Sequence, residues 1–280
     1  MLIWLCALAA ASCASALNVF VAGGTGFVGA KMVERLVERG HVVTSLSRRG
    51  APSSSASTSR TSSSRGGSGS GSVTYVRGDA CDFKTIEDTV SKFGPFDSII
   101  HCVGLLLDNE SGLSGLNRFA SGSGSVPGSD ASYDKVTRQT AFNLLDALLS
   151  QPRVQSPRQV AFVFVSAAEA AWTFPAPVLF LQRYLEAKRA VEKRLLESRA
   201  LVRPIILRPS LIYTLERPQA LVSVVPFYIG NLLGLPFVDR PVRVETLVNA
   251  AVYSVENESE SGVQTFREME SFGAKATRGA

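Results

Sequence analysis

A glycine-rich stretch close to the amino terminus constrains the fold of this chain more than any other feature. The apolar run 19–22 leads directly into Gly23-Gly24-Thr25-Gly26-Phe27-Val28-Gly29, after which apolar residues recur at helical spacing as far as Leu36. The pattern predicts a buried strand, a tight turn and a helix in direct succession. A strand that turns straight into a helix begins a βαβ unit, so the stretch favours a parallel α/β sheet.

Three evenly spaced glycines make this turn suitable for binding phosphate. Gly23 allows the chain to leave the strand sharply, Gly26 removes a side chain where a pyrophosphate would approach the backbone, and Gly29 lets the helix pack closely on the strand. The candidate cofactor-binding residues of the turn are Gly23, Thr25, Gly26, Phe27, Val28 and Gly29. The spacing alone is weak evidence, and an ordinary glycine-rich turn is the alternative.

Strand and helix patterns alternate along the rest of the chain. Further strands are predicted at residues 41–47, 73–77, 96–104, 159–166 and 202–207, and helices at 83–93, 133–149 and 182–197. Such alternation predicts right-handed crossovers between parallel strands. The expected fold is therefore α/β, a Rossmann-type doubly wound parallel sheet with a small carboxyl-terminal cap on the substrate side.

We expect one dinucleotide-binding domain at residues 17–255, preceded by an apolar leader at residues 1–16. The leader ends in Ala14-Ser15-Ala16 and resembles a signal peptide, but it lacks basic residues, and an incorrect gene start is the alternative. The serine- and glycine-rich residues 50–72 are expected to be a flexible insertion within this domain. The polar tail at residues 256–280 is expected to be loose.

Two further segments lie on the expected ligand side of the sheet. Residues 108–132 follow a strand and are either a lid or a solvated insertion. The cap is predicted within residues 210–240, where residues 218–238 are rich in apolar side chains but contain three prolines and two glycines. Those breaks disfavour a membrane-spanning helix. The apolar side chains are expected to form a small core under the cap, with contact to a membrane or a hydrophobic substrate as the alternative.

The composition argues against nucleic-acid binding and a metal site. The net charge is +5 and the isoelectric point is about 9.2, but the basic residues are scattered among acids, so phosphorylated cofactors or anionic lipids explain the charge better. The four cysteines lack metal-ligand spacing and the two histidines are isolated in the sequence. Cys102 is expected to be a small core residue.

The end of the second predicted strand indicates which dinucleotide is bound. In dinucleotide folds an acid at this point binds the ribose 2′-hydroxyl, whereas arginine accommodates a 2′-phosphate. This strand ends in Ser47, Arg48 and Arg49. NADP(H) is therefore expected in preference to NAD(H), although two exposed arginines at the start of a loop are the alternative interpretation.

Candidate catalytic residues follow in the second half of the chain. Tyr184 and Lys188 are four residues apart and share one face of a predicted helix. A lysine ammonium stabilises a nearby phenolate, so it lowers the pKa of the tyrosine and lets it act as a general acid or base. Ser166, at the end of the preceding strand, is placed to orient a carbonyl or alcohol. The same tyrosine and lysine spacing also occurs on ordinary solvated helices.

In their order these motifs resemble the short-chain dehydrogenase/reductase superfamily, in its atypical or extended branch. Gly23, Gly26 and Gly29 match its phosphate-binding glycines, and residues 208–213 resemble its RPxxVYG stretch. The resemblance implies that Asp79 and Ala80 contact the adenine, and that Val103 and Gly104 lie where a strand passes beneath the cofactor. It also implies a catalytic role for Ser166, Tyr184 and Lys188, and a position beside the nicotinamide for Pro209.

Within the superfamily, the chain resembles the group containing the thirty-nine-kilodalton accessory subunit of complex I and a yeast protein of coenzyme Q synthesis. The resemblance implies NADPH binding in a mitochondrial, membrane-associated setting of quinone metabolism or respiratory assembly. A plastid or the secretory route is the alternative compartment suggested by the leader. An active NADPH-dependent oxidoreductase acting on a hydrophobic carbonyl or quinone-type substrate is the alternative function.

Two positions depart from the family pattern. Thr137 stands on the helix that usually carries an asparagine after its tyrosine, and Thr214 stands where the family often has glycine. Loss of the asparagine is expected to remove a helix-distorting or proton-relay contact. Cofactor binding is consequently a firmer expectation than catalysis.

Overall fold

The computed structural model describes residues 15–52, 71–105, 132–151, 158–216, 221–234 and 238–278. Most of the leader, of the insertion at residues 50–72 and of the loop at residues 108–132 lies outside the described residues. The predictions made for those segments therefore stay predictions.

Seven parallel strands form the central sheet, in the order β3-β2-β1-β4-β5-β6-β9. The strands are β1 Asn18–Ala22, β2 Val42–Ser47, β3 Ser72–Arg77, β4 Ser98–His101, β5 Ala161–Val165, β6 Arg203–Leu207 and β9 Gly262–Gln264. The strand order reverses at β1, which pairs with β2 on one side and β4 on the other. This topology confirms the predicted Rossmann-type doubly wound sheet. A separate parallel pair consists of β7 Ile212–Tyr213 and β8 Val242–Arg243.

Helices cover both faces of the sheet. They are α1 Phe27–Glu38, α2 Phe83–Phe93, α3 Thr140–Ser150, α4 Leu179–Glu197, α5 Leu221–Leu232, α6 Val244–Glu256 and α7 Phe266–Arg278. Val19 and Val21 of β1 pack in a core with α1 and α6, whereas Phe20 packs in a second core with α2, α3 and α4. The alternation follows from the two-residue period of a strand that is buried on both faces.

The predicted ends of helices and strands agree best with the structure where the local sequence signals are strongest. The helix expected at residues 83–93 is α2 Phe83–Phe93, with Asp82 capping its first turn through a bond from the Lys84 backbone N–H to Oδ1. The strand expected at residues 96–104 is shorter, since only Ser98–His101 pair with neighbouring strands. The residues beyond His101 leave the ladder and lead to the carboxyl edge of the sheet.

The carboxyl-terminal tail was expected to be loose, and this expectation was wrong. Strand β9 pairs with β6 and extends the sheet. Helix α7 follows, with Met269 fully buried and the Phe272 ring stacked 5.3 Å from the ring of Tyr253 on α6. The charges at positions 267, 268 and 270 made the segment read as polar, but its apolar residues share one helical face, and packing of that face orders the tail.

The apolar cap contains helix α5 and does not bury most of its described large side chains. Val225, Ile229, Leu232 and Leu233 are 55, 52, 86 and 71% exposed. Tyr228 connects the helix to the β7–β8 pair through a hydrogen bond, since its hydroxyl lies 3.0 Å from the Tyr213 hydroxyl. The expected small core is thus wrong for these four side chains, which extend from the helix into solvent. None of the helices in the described parts has both the length and the apolar content needed to cross a membrane.

Candidate functional site

The glycine turn connects β1 to α1 at the carboxyl edge of the sheet. Gly23 has a φ of +85°, and its N–H donates to the Leu46 carbonyl oxygen at 2.8 Å. A Cβ at this position would lie 2.9 Å from the backbone of Cys102, beyond the end of β4. The conformation and the close approach both require glycine, so the tight turn predicted at Gly23 is present.

The other glycines of the turn differ in what surrounds them. A Cβ on Gly29 would lie 2.2 Å from the Gly23 carbonyl oxygen, so α1 contacts the turn backbone directly. A Cβ on Gly24 would lie 2.1 Å from Ser45 Oγ, a packing requirement that the motif analysis missed. At Gly26 the nearest atom is the Gly23 oxygen, at 3.2 Å.

Helix α1 begins after Gly26 without a capping side chain and without an acidic residue in its first turn. Backbone N–H groups at a helix amino terminus attract anions, and the helix dipole adds to that attraction. The Gly26 position therefore combines a close backbone approach with a favourable electrostatic setting for phosphate.

The two arginines after β2 have different surroundings, although both are exposed. Arg49 Nη2 donates to the Thr25 carbonyl oxygen at 2.7 Å, which places its guanidinium against the glycine turn. Ser47 Oγ instead donates to the Gly50 carbonyl oxygen at 2.9 Å. The Ser47 hydroxyl thus closes its own turn, and the cationic edge is formed by Arg48 and Arg49.

The predicted adenine-side residues lie at the end of β3. Asp79 is exposed, and its Oδ1 accepts the Cys81 backbone N–H at 2.9 Å. Ala80 is buried, and its carbonyl oxygen accepts a bond from Asn143 Nδ2 of α3 at 3.2 Å. These bonds fix the shape of the chain next to the β2 arginines.

Val103 and Gly104 lie beyond the end of β4. The Val103 nitrogen would be 3.1 Å from a Cβ on Gly23, so this segment borders the glycine turn. Gly104 is exposed, and a Cβ there would meet no atom within 4 Å. The carboxyl ends of β1 and β4 therefore lie side by side at the point where the strand order reverses, the usual ligand position in such sheets.

Tyr184 and Lys188 come together on α4, as the four-residue spacing predicts. Lys188 Nζ lies 5.5 Å from the Tyr184 ring centre and 4.9 Å from that of Phe164. It also donates to the Val165 carbonyl oxygen at 2.5 Å. Burial lowers the pKa of Lys188 to about 8, and the charge of Glu192 opposes that shift.

The expected lowering of the tyrosine pKa is not found. Burial raises the pKa of Tyr184 above its usual range, and Glu169 and Tyr133 add to the shift. The ring of Tyr133 packs edge-on against that of Tyr184, with centres 5.5 Å apart. Desolvation therefore dominates the shift, and the phenol is held in its neutral form at pH 7.

Ser166 occupies the predicted strand end, but its hydroxyl is bound elsewhere. The side chain is buried, and Oγ donates to Glu192 Oε1 of α4 at 2.5 Å. Glu192 is in turn paired with Arg208, which follows β6. The next two residues, Ala167 and Ala168, carry no hydroxyl. Sequence analysis missed Glu192, although it lies one helical turn beyond Lys188 on the same face.

The remaining positions complete the end of β6 and the start of α3. Pro209 is buried, and its carbonyl oxygen accepts the Ala168 N–H at 2.8 Å. Residues Asp134–Gln139 form a π-helical turn before α3, so the helix distortion is present even with Thr137 in place of asparagine. Thr214 is buried, and its Oγ1 accepts the Glu216 N–H at 3.3 Å.

Burial shifts the pKa values of His101 and of both cysteines in the described residues away from neutral pH. Burial raises the pKa of Cys102 to about 12 and that of Cys81 to about 11, so both remain thiols at neutral pH. Burial lowers the pKa of His101 to about 3. Within the described parts, no cluster of His, Cys, Asp and Glu has the arrangement of a metal site.

Comparison with known proteins relates this geometry to a family. Residues 19–121 match the NAD dependent epimerase/dehydratase family. A short-chain dehydrogenase/reductase from Serratia marcescens superposes with a TM-score of 0.59 at 17% identity, over 89% of this chain and 96% of that one. The UDP-glucose 4-epimerase of Thermus thermophilus, in complex with NAD, superposes with a TM-score of 0.55 at 21% identity, over 94% and 84%.

The first part of the chain is thus similar to this family, and the superposed structures share its fold. The chain is also similar to MIOREX complex component 2 of Saccharomyces cerevisiae, with 24% identity over 287 residues that cover 90% of this chain and 98% of the yeast protein. The family match spans β1 to β4, the part of the domain that contains the glycine turn and the β2 arginines.

Proposed function

We propose that the chain is an epimerase/short-chain dehydrogenase domain and that it binds a nicotinamide dinucleotide at the carboxyl edge of the sheet. The observation that carries the proposal is the junction of the glycine turn with the end of β4, where the strand order reverses. Gly26 and Gly104 leave backbone accessible there, and α1 directs its amino terminus to the same edge. The donor set therefore fits a pyrophosphate.

The other site residues are assigned along the same edge. Asp79 and Ala80 border the adenine, and Val103 lies beneath the cofactor. Lys188 donates to the nicotinamide ribose, while Pro209 shapes the far end of the site. When bound, the dinucleotide supplies hydride chemistry, and the protein positions it between the ends of β1, β4 and β5.

We assign NADP(H) as the preferred dinucleotide. Arg48 and Arg49 follow β2 in the place where an NAD-specific site would carry an acid. The bond from Arg49 to the Thr25 carbonyl holds one guanidinium beside the glycine turn, and Arg48 remains exposed next to it. Two cations at this point favour a 2′-phosphate over a free hydroxyl.

The assigned role is cofactor binding in support of a membrane-associated complex, in or beside quinone metabolism or respiratory assembly in the mitochondrion. Similarity to a protein named as a complex component supports this setting. The hydrogen bond of Ser166 to Glu192 and the raised pKa of Tyr184 support binding over turnover. An oxidoreductase acting on a hydrophobic carbonyl or quinone is the second candidate, because Lys188 lies beside Tyr184.

Titration of the purified protein with NADPH and NADH, followed by cofactor fluorescence, tests the proposal. We expect saturable binding of both cofactors, with the smaller dissociation constant for NADPH. Gly26→Val should abolish binding, whereas Ala30→Val, one turn later on an exposed part of α1, should not. Absence of saturable binding by the folded wild-type protein would refute the function.

The cellular setting has its own test. A fluorescent protein fused to the carboxyl terminus leaves the amino-terminal leader intact. We expect the fusion to co-localise with a mitochondrial marker. Fluorescence in plastids or in the secretory pathway would contradict that assignment.

A further inference from the structure

A buried carboxylate connects three elements next to the proposed nucleotide site. Glu192 lies on α4 and is almost fully enclosed. Arg208 donates to it from Nε at 3.0 Å and from Nη2 at 2.5 Å, and Ser166 Oγ donates at 2.5 Å. Since Ser166 follows β5 and Arg208 follows β6, one carboxylate joins both strand ends to the helix.

Burying the Glu192 carboxylate has a cost that an apolar contact would avoid, and its partner Arg208 keeps 22% of its side chain exposed. Two charges lose hydration when they are buried, and well-packed apolar residues of similar size often stabilise a fold equally well. The bidentate geometry fixes the carboxylate in one orientation, since both oxygens are engaged. The pair therefore holds a negative charge at a defined place on the face of α4 that carries Tyr184 and Lys188.

That place is one helical turn from Lys188. Tyr184, Lys188 and Glu192 are spaced by four residues and lie on one face of α4. Lys188 Nζ is bonded to the Val165 carbonyl, immediately before the serine that Glu192 holds. Helix α4 is thus attached to the end of β5 at two consecutive residues, through the lysine and through the glutamate.

We propose that Glu192 is a positioning residue of the nucleotide site, which holds Ser166 away from the ligand and fixes the location and charge of the Lys188 ammonium. The inference rests on the proposed dinucleotide binding. Glu192 acts through Lys188 and Ser166, while the two β5 bonds determine where the ammonium donates. Arg208 keeps the carboxylate from turning towards Lys188 to form a closed ion pair.

The surroundings of Lys188 make Glu192 the main source of negative charge. His101 of β4, Cys102 just after it, the Phe164 ring of β5 and Tyr184 of α4 face the ammonium, and each is neutral at pH 7. Burial lowers the pKa of Lys188, and Glu192 raises it. Removal of the carboxylate charge will therefore lower the pKa of Lys188 further.

The direct test measures Lys188 in cofactor-free protein. ¹³C-methylated lysine, observed by NMR between pH 6 and 11, gives the titration midpoint of this amine. In Glu192→Gln we expect the midpoint to fall by about one pH unit, the size of effect that one nearby opposite charge produces. Glu197→Gln, on an exposed part of the same helix, should leave it unchanged. Equal midpoints in wild type and Glu192→Gln, or equal shifts in both variants, would overturn the proposal.

NADPH titration of the same variants tests positioning separately. We expect the dissociation constant to rise about tenfold in Glu192→Gln and to stay at the wild-type value in Glu197→Gln. If wild-type protein fails to bind NADPH while the Lys188 midpoint still shifts in Glu192→Gln, the proposed function is refuted, but the effect of Glu192 on the charge of Lys188 is supported. If binding is normal and the midpoint does not move, the role of Glu192 falls alone.

Two further variants cover a folding failure of Glu192→Gln. Glu192→Asp keeps the charge but moves it by one methylene, and we expect the lysine midpoint to fall by less than about one pH unit relative to wild type. Ser166→Ala keeps both charges of the pair and should move the midpoint by less than Glu192→Asp. A larger shift in Ser166→Ala than in Glu192→Asp would contradict the assignment of the charge to Glu192.

Discussion

The two ends of the proposed site are built in different ways. At the ends of β1 and β4, the shape of the backbone makes the site, and Gly23 and Gly29 are required because a Cβ there would collide with neighbouring backbone atoms. At the ends of β5 and β6, side chains make the site, and their polar atoms are bonded to each other in the Ser166, Glu192 and Arg208 cluster. The first end is open to a ligand, whereas the second is occupied by its own partners.

Because the two ends are built differently, the domain can bind a dinucleotide without catalysing a reaction on it. Phosphate binding by the glycine turn depends on a few backbone positions, so it needs only the glycines of the turn. General acid–base chemistry needs a side chain with a suitable pKa within reach of the substrate. Here the pKa of Tyr184 is raised and the Ser166 hydroxyl is bound to a carboxylate.

The largest effect is expected at the backbone end. In Gly29→Val the new side chain begins at a Cβ position 2.2 Å from the Gly23 carbonyl oxygen. We expect a loss of at least about 4 kcal/mol in the free energy of unfolding, because both backbones would have to separate. Urea denaturation measures the loss.

Ala30→Val is the matched control for Gly29→Val. Ala30 is the next residue of α1 and is exposed, so its cost should stay below about 1 kcal/mol, the usual range of helix propensity. Equal costs at the two positions would show that the close approach of α1 to the turn is not needed.

The second effect concerns the side-chain end. Arg208→Met leaves the Glu192 carboxylate buried without its cation, and we expect about 3 kcal/mol of destabilisation. The double variant Glu192→Leu with Arg208→Met removes both charges and should be more stable than Arg208→Met alone. A double-mutant cycle by urea denaturation gives the coupling, and additive effects would contradict a paired cluster.

A third effect lies at the opposite edge of the sheet, away from both ends of the site. Glu256 accepts a bond from Arg39 Nη2 at 2.8 Å and lies 3.0 Å from His41 Nε2. Burial alone would raise the pKa of Glu256, but His41 and Arg39 lower it below 4.5 overall. We expect Glu256→Gln to cost about 2 kcal/mol at pH 7, as for a hydrogen-bonded charge.

The sign of the pH dependence follows from the lowered pKa of Glu256. Its contribution to stability is complete above about pH 4.5, the value in the unfolded chain, and is lost as the pH falls through the folded-state pKa. The stability difference between wild type and Glu256→Gln should therefore shrink from pH 6 to pH 3. A difference that is constant over this range would refute the lowered pKa. NADPH affinity at pH 7 should stay at the wild-type value.

The smallest effect distinguishes the two dinucleotides. Arg48→Ala should raise the dissociation constant of NADPH about tenfold, or about 1.4 kcal/mol, and leave that of NADH unchanged. Lys84→Ala removes an exposed cation from α2 and controls for net charge. Equal weakening of NADPH and NADH by Arg48→Ala would remove the preference for NADP(H).

The amino-acid sequence predicted what depends on local patterns. The alternation of strands and helices predicted the sheet. The spacing of Gly23, Gly26 and Gly29 predicted the turn, because backbone atoms approach each of these glycines. The bounds of α2 were predicted because Asp82 caps it and its apolar residues repeat at helical spacing. The contacts assigned to the cofactor-binding residues stay predictions.

Features that depend on distant partners were missed. The bond between Ser166 and Glu192 spans 26 residues, and no local pattern shows where the hydroxyl turns. Burial of Tyr184 among Tyr133 and Glu169 reverses the pKa shift expected from its spacing to Lys188. The tail was misread because charged residues obscured the apolar face of α7, which is fixed only by contact with α6.

We propose that the site binds NADPH and that Tyr184 takes no part in its oxidation. Oxidation of bound NADPH, followed by its absorbance under single-turnover conditions with a panel of short-chain quinones and ketones, tests this in wild type and Tyr184→Phe. We expect both proteins to bind NADPH and neither to oxidise it faster than the same quinone does in free solution. Oxidation by wild type that is lost in Tyr184→Phe would contradict this expectation and favour the oxidoreductase.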